Sequence, residues 1–455
     1  MSAFLYYLAA FAVVLGVLVV VHEFGHYQTA RWLGVKVLRF SVGFGRPLWS
    51  RKFGRDDTEW AIAAFPLGGY VKMLDEREGE VPVAELHRSF NRQPVLSRMA
   101  IVVAGPLANF LLAIVLYWGL FWHGTEEFKP LLATPPAVSA AAAAGLANGE
   151  LVRKVDGEGV QTWQEMRWLV LQRAVDHDRV ALEVINRHQE IAIRHLDVSA
   201  VRRSGWEGDA LERLGLALYR PSLPPVLGEV QGGGAAAAAG LRPADEVLSV
   251  DGHAIASWAD FVHIVRQSPG LRLVLAVRRD GQPIEIALTP ASIDEQGEEI
   301  GRVGVTVSDG DRARAESMVT VSYGPLSALS KAVVETWDKS AFTLLMMGKM
   351  ITGEVSWRNI SGPVTIADYA GRSARLGFDY YIKFMALVSI SLGVLNLLPI
   401  PILDGGHLMY YLVEIIKRGP VSERSMEIGQ QIGLALLLTL MAFAFYNDIN
   451  RLISG

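Results

Sequence analysis

The stretch "VVVHEFGHYQTARWLG", residues 19–34, closes a run from Leu5 to Val21 that holds no charged residue. About 20 apolar residues are enough to cross a bilayer, so the run and its continuation read as a membrane-spanning helix. His22 and His26 are four apart, and on a helix both imidazoles then project from one face and can chelate one metal ion. Glu23 stands beside them, where it can take a proton from a metal-bound water. Three ionisable groups at the end of a spanning helix are costly unless they serve a site. The pattern points to zinc-dependent hydrolysis at a membrane, and the rest of the chain has to supply the rest of the site.

Composition agrees. Of 455 residues, 51% are hydrophobic and only 20% charged, more apolar than an ordinary soluble enzyme. The net charge of −4 gives no field that would attract nucleic acid, and none is expected as a partner. The chain has no cysteine, so zinc must be held by His, Asp or Glu. Three more stretches can span the lipid bilayer: Met99–Phe121, Phe384–Leu403 and Ile428–Tyr446. The first run lacks a basic start and a small-residue cleavage site, and reads as a retained helix rather than a signal peptide. Residues 27–98 carry twelve Lys or Arg and the first twenty residues none, which places that loop in the cytoplasm and both termini outside.

A catalytic zinc takes three protein ligands and keeps one position open, and HEFGH supplies two. The best third candidate lies in "VLNLLPIPILDGGHLMYY", residues 394–411, where Asp404 follows an apolar run with no charge back to Lys383. Pro399 and Pro401 break that span just before it, and broken backbone at membrane depth is tolerated where it lines a wet cavity. The first and third spans cross in the same direction, so His22, His26 and Asp404 all fall near the cytoplasmic leaflet and can meet. His407 is an alternative ligand.

Between the second and third spans, "AAAAAGLANGELVRKVDGEGVQTWQEM" (140–166) aligns without gaps on "AAAAAGLRPADEVLSVDGHAIASWADF" (235–261). Each copy reads as a short helix ended by glycine, a strand into an Asp-Gly turn, a second helix from Trp163 or Trp258, and a hairpin such as "LRLVLAVRRDGQPIEIAL" (271–288). The pair resembles tandem bacterial PDZ domains, over residues 126–220 and 222–308. Such domains bind C-terminal peptides by strand addition, or serve as spacers where the groove is lost. Residues 35–98 read as a β-rich, membrane-associated region on the cytoplasmic side. Residues 320–381 read as a helical region that either lies at the membrane interface or packs on its neighbours.

HEFGH together with "NLLPIPILDGG" (396–406) resembles the site-2 protease family of intramembrane zinc metalloproteases. "SVGFG" (41–45), "FPLGGYVKMLDE" (65–76) and "AGPLANF" (104–110) are also similar to stretches of its Gram-negative members with two PDZ copies. The resemblance implies a multi-span α-helical membrane protein with four transmembrane helices, a membrane-associated β-hairpin region and two tandem α+β PDZ domains. The helical segments are then 1–34, 99–121, 382–411 and 428–446. It implies His22, His26 and Asp404 as ligands of Zn2+ and Glu23 as catalytic base. Asn396 is implied as a contact to the substrate backbone, and Gly43, Phe44 and Gly45 as a β edge that clamps unwound substrate. The implied substrates are single-span membrane proteins: an anti-sigma factor already trimmed by another protease, and signal-peptide remnants. The implied location is the bacterial inner membrane, with the termini and PDZ domains periplasmic.

Two rivals remain on the residues alone. A membrane-anchored scaffold with a structural metal site would be expected to close that site with a fourth ligand. A metal transporter would be expected to carry more polar residues along Ile428–Tyr446 than Gln430, Gln431 and Thr439.

Overall fold

The computed structural model describes residues 2–186, 188–199, 210–219, 221–295, 298–357 and 362–454. Two compact units are distinguished, one of residues 1–125 with 321–455, the other of residues 126–204 and 208–320. Residues 200–209 and 220, at the end of the first expected PDZ domain, lie outside the described residues.

The first unit opens with α1 (Ser2–Trp32), a single helix that runs without interruption through HEFGH. Two long strands follow, β1 (Val37–Phe53) and β2 (Thr58–Met73). Both are bent, so that two strands make four antiparallel rows in the order 47–53, 58–63, 39–42, 69–73. The bend in β1 falls at Gly43 and Gly45, with φ of +95° and +91°, angles that favour glycine. These residues turn the chain over and face Phe65; the outer rows of the sheet are 47–53 and 69–73, and no further strand joins either among the described residues. One face of the sheet presents Phe40, Val42, Trp60, Val71 and Met73 to Tyr27 and Ala30 of α1 and to Ile101. Phe40 is only 1% exposed, and burial of such a side chain stabilises the pair by about 1.5–3 kcal/mol. The sheet is thereby fixed beside the HEFGH turns. α2 (Val95–His123) crosses α1 so closely that a Cβ on Gly25 would strike the Ala104 carbonyl.

In the second unit the two repeats have one topology. The first holds α3 (Ala140–Ala143), β3 (Leu151–Val155), β4 (Glu158–Gly159), α4 (Trp163–Ala174), β5 (Arg179–Ile185) and β6 (Ile191–Asp197), with sheet order β4-β3-β5-β6. The second holds α5 (Ala235–Ala238), β7 (Glu246–Val250), β8 (His253–Ala254), α6 (Trp258–Arg266), β9 (Leu273–Arg279) and β10 (Gln282–Leu288), with sheet order β8-β7-β9-β10. The signals read from sequence act where expected. Thr162 and Ser257 cap the second helices through their side chains. Asp280 and Gly281 both take positive φ, as the two-residue turn between β9 and β10 requires. The second copy encloses a groove of about 310 Å³ between α6 and residues 300–305, lined by Trp258, Phe261, Val262, Val265, Ile300 and Val303 among others.

The chain returns to the first unit with α7 (Pro325–Ile351) and α8 (Pro363–Leu376). Both helices pack on their neighbours. α7 buries Ala332 against Ala113, Tyr117 and Leu120 of α2, while Leu326, Val334 and Trp337 stay exposed. α8 packs Ala370 against Val14 and Leu18 of α1. The third span is α9 (Phe378–Asn396), followed by a non-helical loop at 397–403 and α10 (Asp404–Lys417). It therefore starts earlier and stops sooner than the apolar run suggested, because Pro399 and Pro401 cannot donate the backbone bonds that would continue it. The last span, α11 (Glu423–Ser454), outruns its apolar stretch at both ends. Near its end Asp448 accepts the backbone N–H groups of Gly362, Val364 and Thr365 at 2.9, 2.9 and 3.2 Å, a carboxylate seated on the α8 N-terminus. Among the described residues, four helices are long and apolar enough to cross a membrane: Phe4–Trp32, Val95–His123, Phe378–Asn396 and Arg424–Asn450.

Candidate metal centre

The α-helical spacing of HEFGH brings Nε2 of His22 within 3.2 Å of Nε2 of His26. Asp404, the first residue of α10, sets Oδ2 at 3.2 Å from His22 Nε2 and 3.5 Å from His26 Nε2. A tetrahedral zinc with ligands at about 2.0–2.1 Å spans ligand-to-ligand edges of about 3.3–3.4 Å, so the three atoms match one face of such a tetrahedron. Asp404 Oδ2 is buried and accepts no hydrogen bond of good geometry, an oxygen placed for a cation rather than a proton donor. Two nitrogens and one carboxylate oxygen, with no thiolate, form a donor set that suits zinc. Among the described residues this is the one trio of potential ligands gathered in this way.

The loop before Asp404 explains its position. Ile402 holds a φ of +102°, rare for a β-branched residue and a strain on the order of 1–3 kcal/mol. Gly405 and Gly406 let α10 press on the carbonyls of Leu397, Leu398 and Ile400, where any Cβ would collide. Arg98, at the start of α2, then ties α10 down: its Nη2 donates to Glu414 Oε1 at 2.7 Å, and its guanidinium lies 4.8 Å from the Tyr411 ring centre. On the other side, Gly105 of α2 faces both histidines, and a Cβ there would run into Nε2 of His26. His26 Nδ1 donates to the Ile101 carbonyl at 2.8 Å, which leaves Nε2 bare.

Glu23 lies close enough to His26, His22 and Asp404 to interact with their charges. A Cβ on Gly69 would sit 3.0 Å from Glu23 Cγ, so the outer row 69–73 runs past the glutamate. Asn396, the last residue of α9, has Nδ2 at 3.5 Å from His22 Nε2. The structure thus gathers His22, Glu23, His26, Asn396 and Asp404 and leaves Gly43, Phe44 and Gly45 at the sheet bend. His407 turns toward the Tyr410 ring and is not in the trio. Sequence reading missed Gly105, Arg98 and Asn109. Asn109 gave a usable signal, since a lone side-chain amide in an apolar span demands a partner.

The family model for Peptidase family M50 matches residues 10–440. The chain belongs to peptidase family M50. This M50 peptidase is 41% identical over 456 residues to the regulator of sigma-E protease RseP of Escherichia coli (strain K12), covering 99% of this chain and 100% of that protein. It is 42% identical over 451 residues to a putative zinc metalloprotease of Neisseria meningitidis, covering 98% of this chain and 99% of that protein. A putative zinc metalloprotease of Xylella fastidiosa is 42% identical over 438 residues, covering 95% and 96%. The M50 peptidase is a zinc metalloprotease of the site-2 type, embedded in the membrane by its apolar helices.

Proposed function

We infer that the peptidase cuts single-span membrane proteins within or beside their transmembrane segment, with His22, His26 and Asp404 holding zinc and Glu23 as base. The observation that carries this reading is the trio of ligand atoms, 3.2, 3.2 and 3.5 Å apart, drawn from residues 22, 26 and 404. When bound, zinc polarises the scissile carbonyl and lowers the pKa of water toward about 7. Glu23 accepts the proton released as water attacks, and returns it to the leaving nitrogen. Asn396 donates its amide N–H to the oxygen that gains charge. A helix in lipid satisfies its own backbone, so its peptide bonds are out of reach until it unwinds. The edge 69–73 offers an unwound segment replacement hydrogen bonds, in the same way that strand addition does elsewhere.

The twelve basic residues in 27–98 favour a site at the cytoplasmic leaflet of the inner membrane, with both termini and the repeats in the periplasm. The name of the Escherichia coli relative and the family resemblance favour an anti-sigma factor, already trimmed outside, and signal-peptide remnants as substrates. In purified, lipid-reconstituted protein, a single-span reporter should be cut, a zinc chelator should stop the cut, and added zinc should restore it. Proline at alternate positions of 69–73 should slow the same cut, since proline removes a donor from the edge. Cleavage indifferent to chelation would reject the reading, and indifference to every proline would remove the edge from it.

The two repeats are read as PDZ domains. The groove beside α6 suits an extended chain end in the second copy. Two folded domains of this kind also serve to exclude bulky substrates by size. Deletion of residues 130–305 should then release cleavage of untrimmed substrate, and unchanged selectivity would remove the filter.

A further inference from the structure

α2 turns one stripe toward the two histidines: Ile101, Gly105 and Asn109 are four residues apart and share a helix face. Ile101 meets Nδ1 of His26, Gly105 leaves room for both rings, and Asn109 sets its side-chain nitrogen 3.2 Å from Nδ1 of His22. A neutral imidazole has one protonated and one bare nitrogen, and only the bare one can take a metal. For His26 the backbone decides, because a carbonyl oxygen only accepts and Nδ1 must carry the hydrogen. For His22 the outcome depends on which end of the Asn109 amide meets Nδ1.

The two ends of an amide have nearly the same shape and exchange by a half-turn. With the NH2 end toward Nδ1, that nitrogen must be bare, and the proton moves to Nε2, the atom that faces His26 and Asp404. That orientation also leaves Asn109 Oδ1 buried with no hydrogen-bond partner. Asn109 is fully buried, so water cannot take its place, and its backbone carbonyl accepts from Ser389 Oγ at 2.8 Å, which fixes α2 against α9 at this level. We propose that Asn109 is the positioning residue that sets the His22 tautomer, its Oδ1 accepting the Nδ1–H and leaving Nε2 bare for the metal. This rests on the reading of His22 as a zinc ligand.

The test titrates zinc alone, against a competing chelator, into metal-free full-length protein in lipid nanodiscs. Asn109→Leu should weaken zinc binding by about 10–100-fold, the usual effect of removing a partner from a metal-bound histidine. Asn109→Asp has the same shape and can only accept, so it should bind zinc nearly as wild type does. The visible spectrum of bound cobalt should follow the same order. Equal weakening by Leu and Asp, or weaker binding by Asp than by Leu, would overturn the proposal. Should the leucine variant fail to fold, Asn109→Ala takes its place with the same expected order. His22→Ala is run in parallel. If it binds zinc normally, the ligand reading itself falls; if it does not, equal Leu and Asp effects sink only the role of Asn109.

Discussion

Glu23→Gln will keep one zinc per chain and lose turnover, whereas Asp404→Ala will lose both. Gln preserves the size of Glu23 and leaves the trio untouched, but an amide cannot accept a proton at neutral pH. General-base catalysis is worth about 10²–10⁴ in rate, so the expected fall is about 10³-fold, or about 4 kcal/mol in the barrier. Asp404 is different in kind. On the proposed reading it supplies one of three ligand atoms, and without it two imidazoles would hold the ion alone. Metal content and reporter cleavage, measured on the same preparations, separate the two roles. A Glu23→Gln variant with more than about a tenth of wild-type turnover would reject the base, given the size expected of that effect. An Asp404→Ala variant that still binds zinc tightly would reject the third ligand.

Gly105→Ala is the second large effect, although it adds one methyl far from any reacting bond. The added carbon would strike His26 Nε2 and crowd His22 Cε1 at 2.9 Å. α2 cannot retreat, because Gly25 already presses on the Ala104 carbonyl. Overpacking of this kind costs about 1–3 kcal/mol in stability. On the proposed reading the functional loss is greater than that figure suggests, because the displaced atom is the one assigned to zinc. Loss of zinc should accompany a still-folded protein by circular dichroism, and normal metal content in Gly105→Ala would show that the ring has room to move.

Much of the site is legible in the residues themselves. HEFGH carries its own geometry, since four-residue spacing on a helix settles that two imidazoles share a face. Asp404 stands out as the first charge after a long apolar run, on a span that must cross in the same direction as the first. The repeat is visible because Val-Asp-Gly, the glycine helix ends and the tryptophans recur at one offset, and its turns follow from Asp-Gly chemistry. The bend of the sheet is not legible. Gly43 and Gly45 look alike as close-approach or bend residues, and only the pairing of 39–42 with two rows at once shows that they bend.

The sequence alone located four apolar spans, the repeated domain and the residues proposed as ligands, because these depend on local composition and short spacings. Tertiary structure decided which strand row runs past Glu23, why residue 105 must lack a side chain, and which partners orient His22 and hold α10. Those contacts join segments dozens to hundreds of residues apart, and no periodicity along a chain encodes a distance across it.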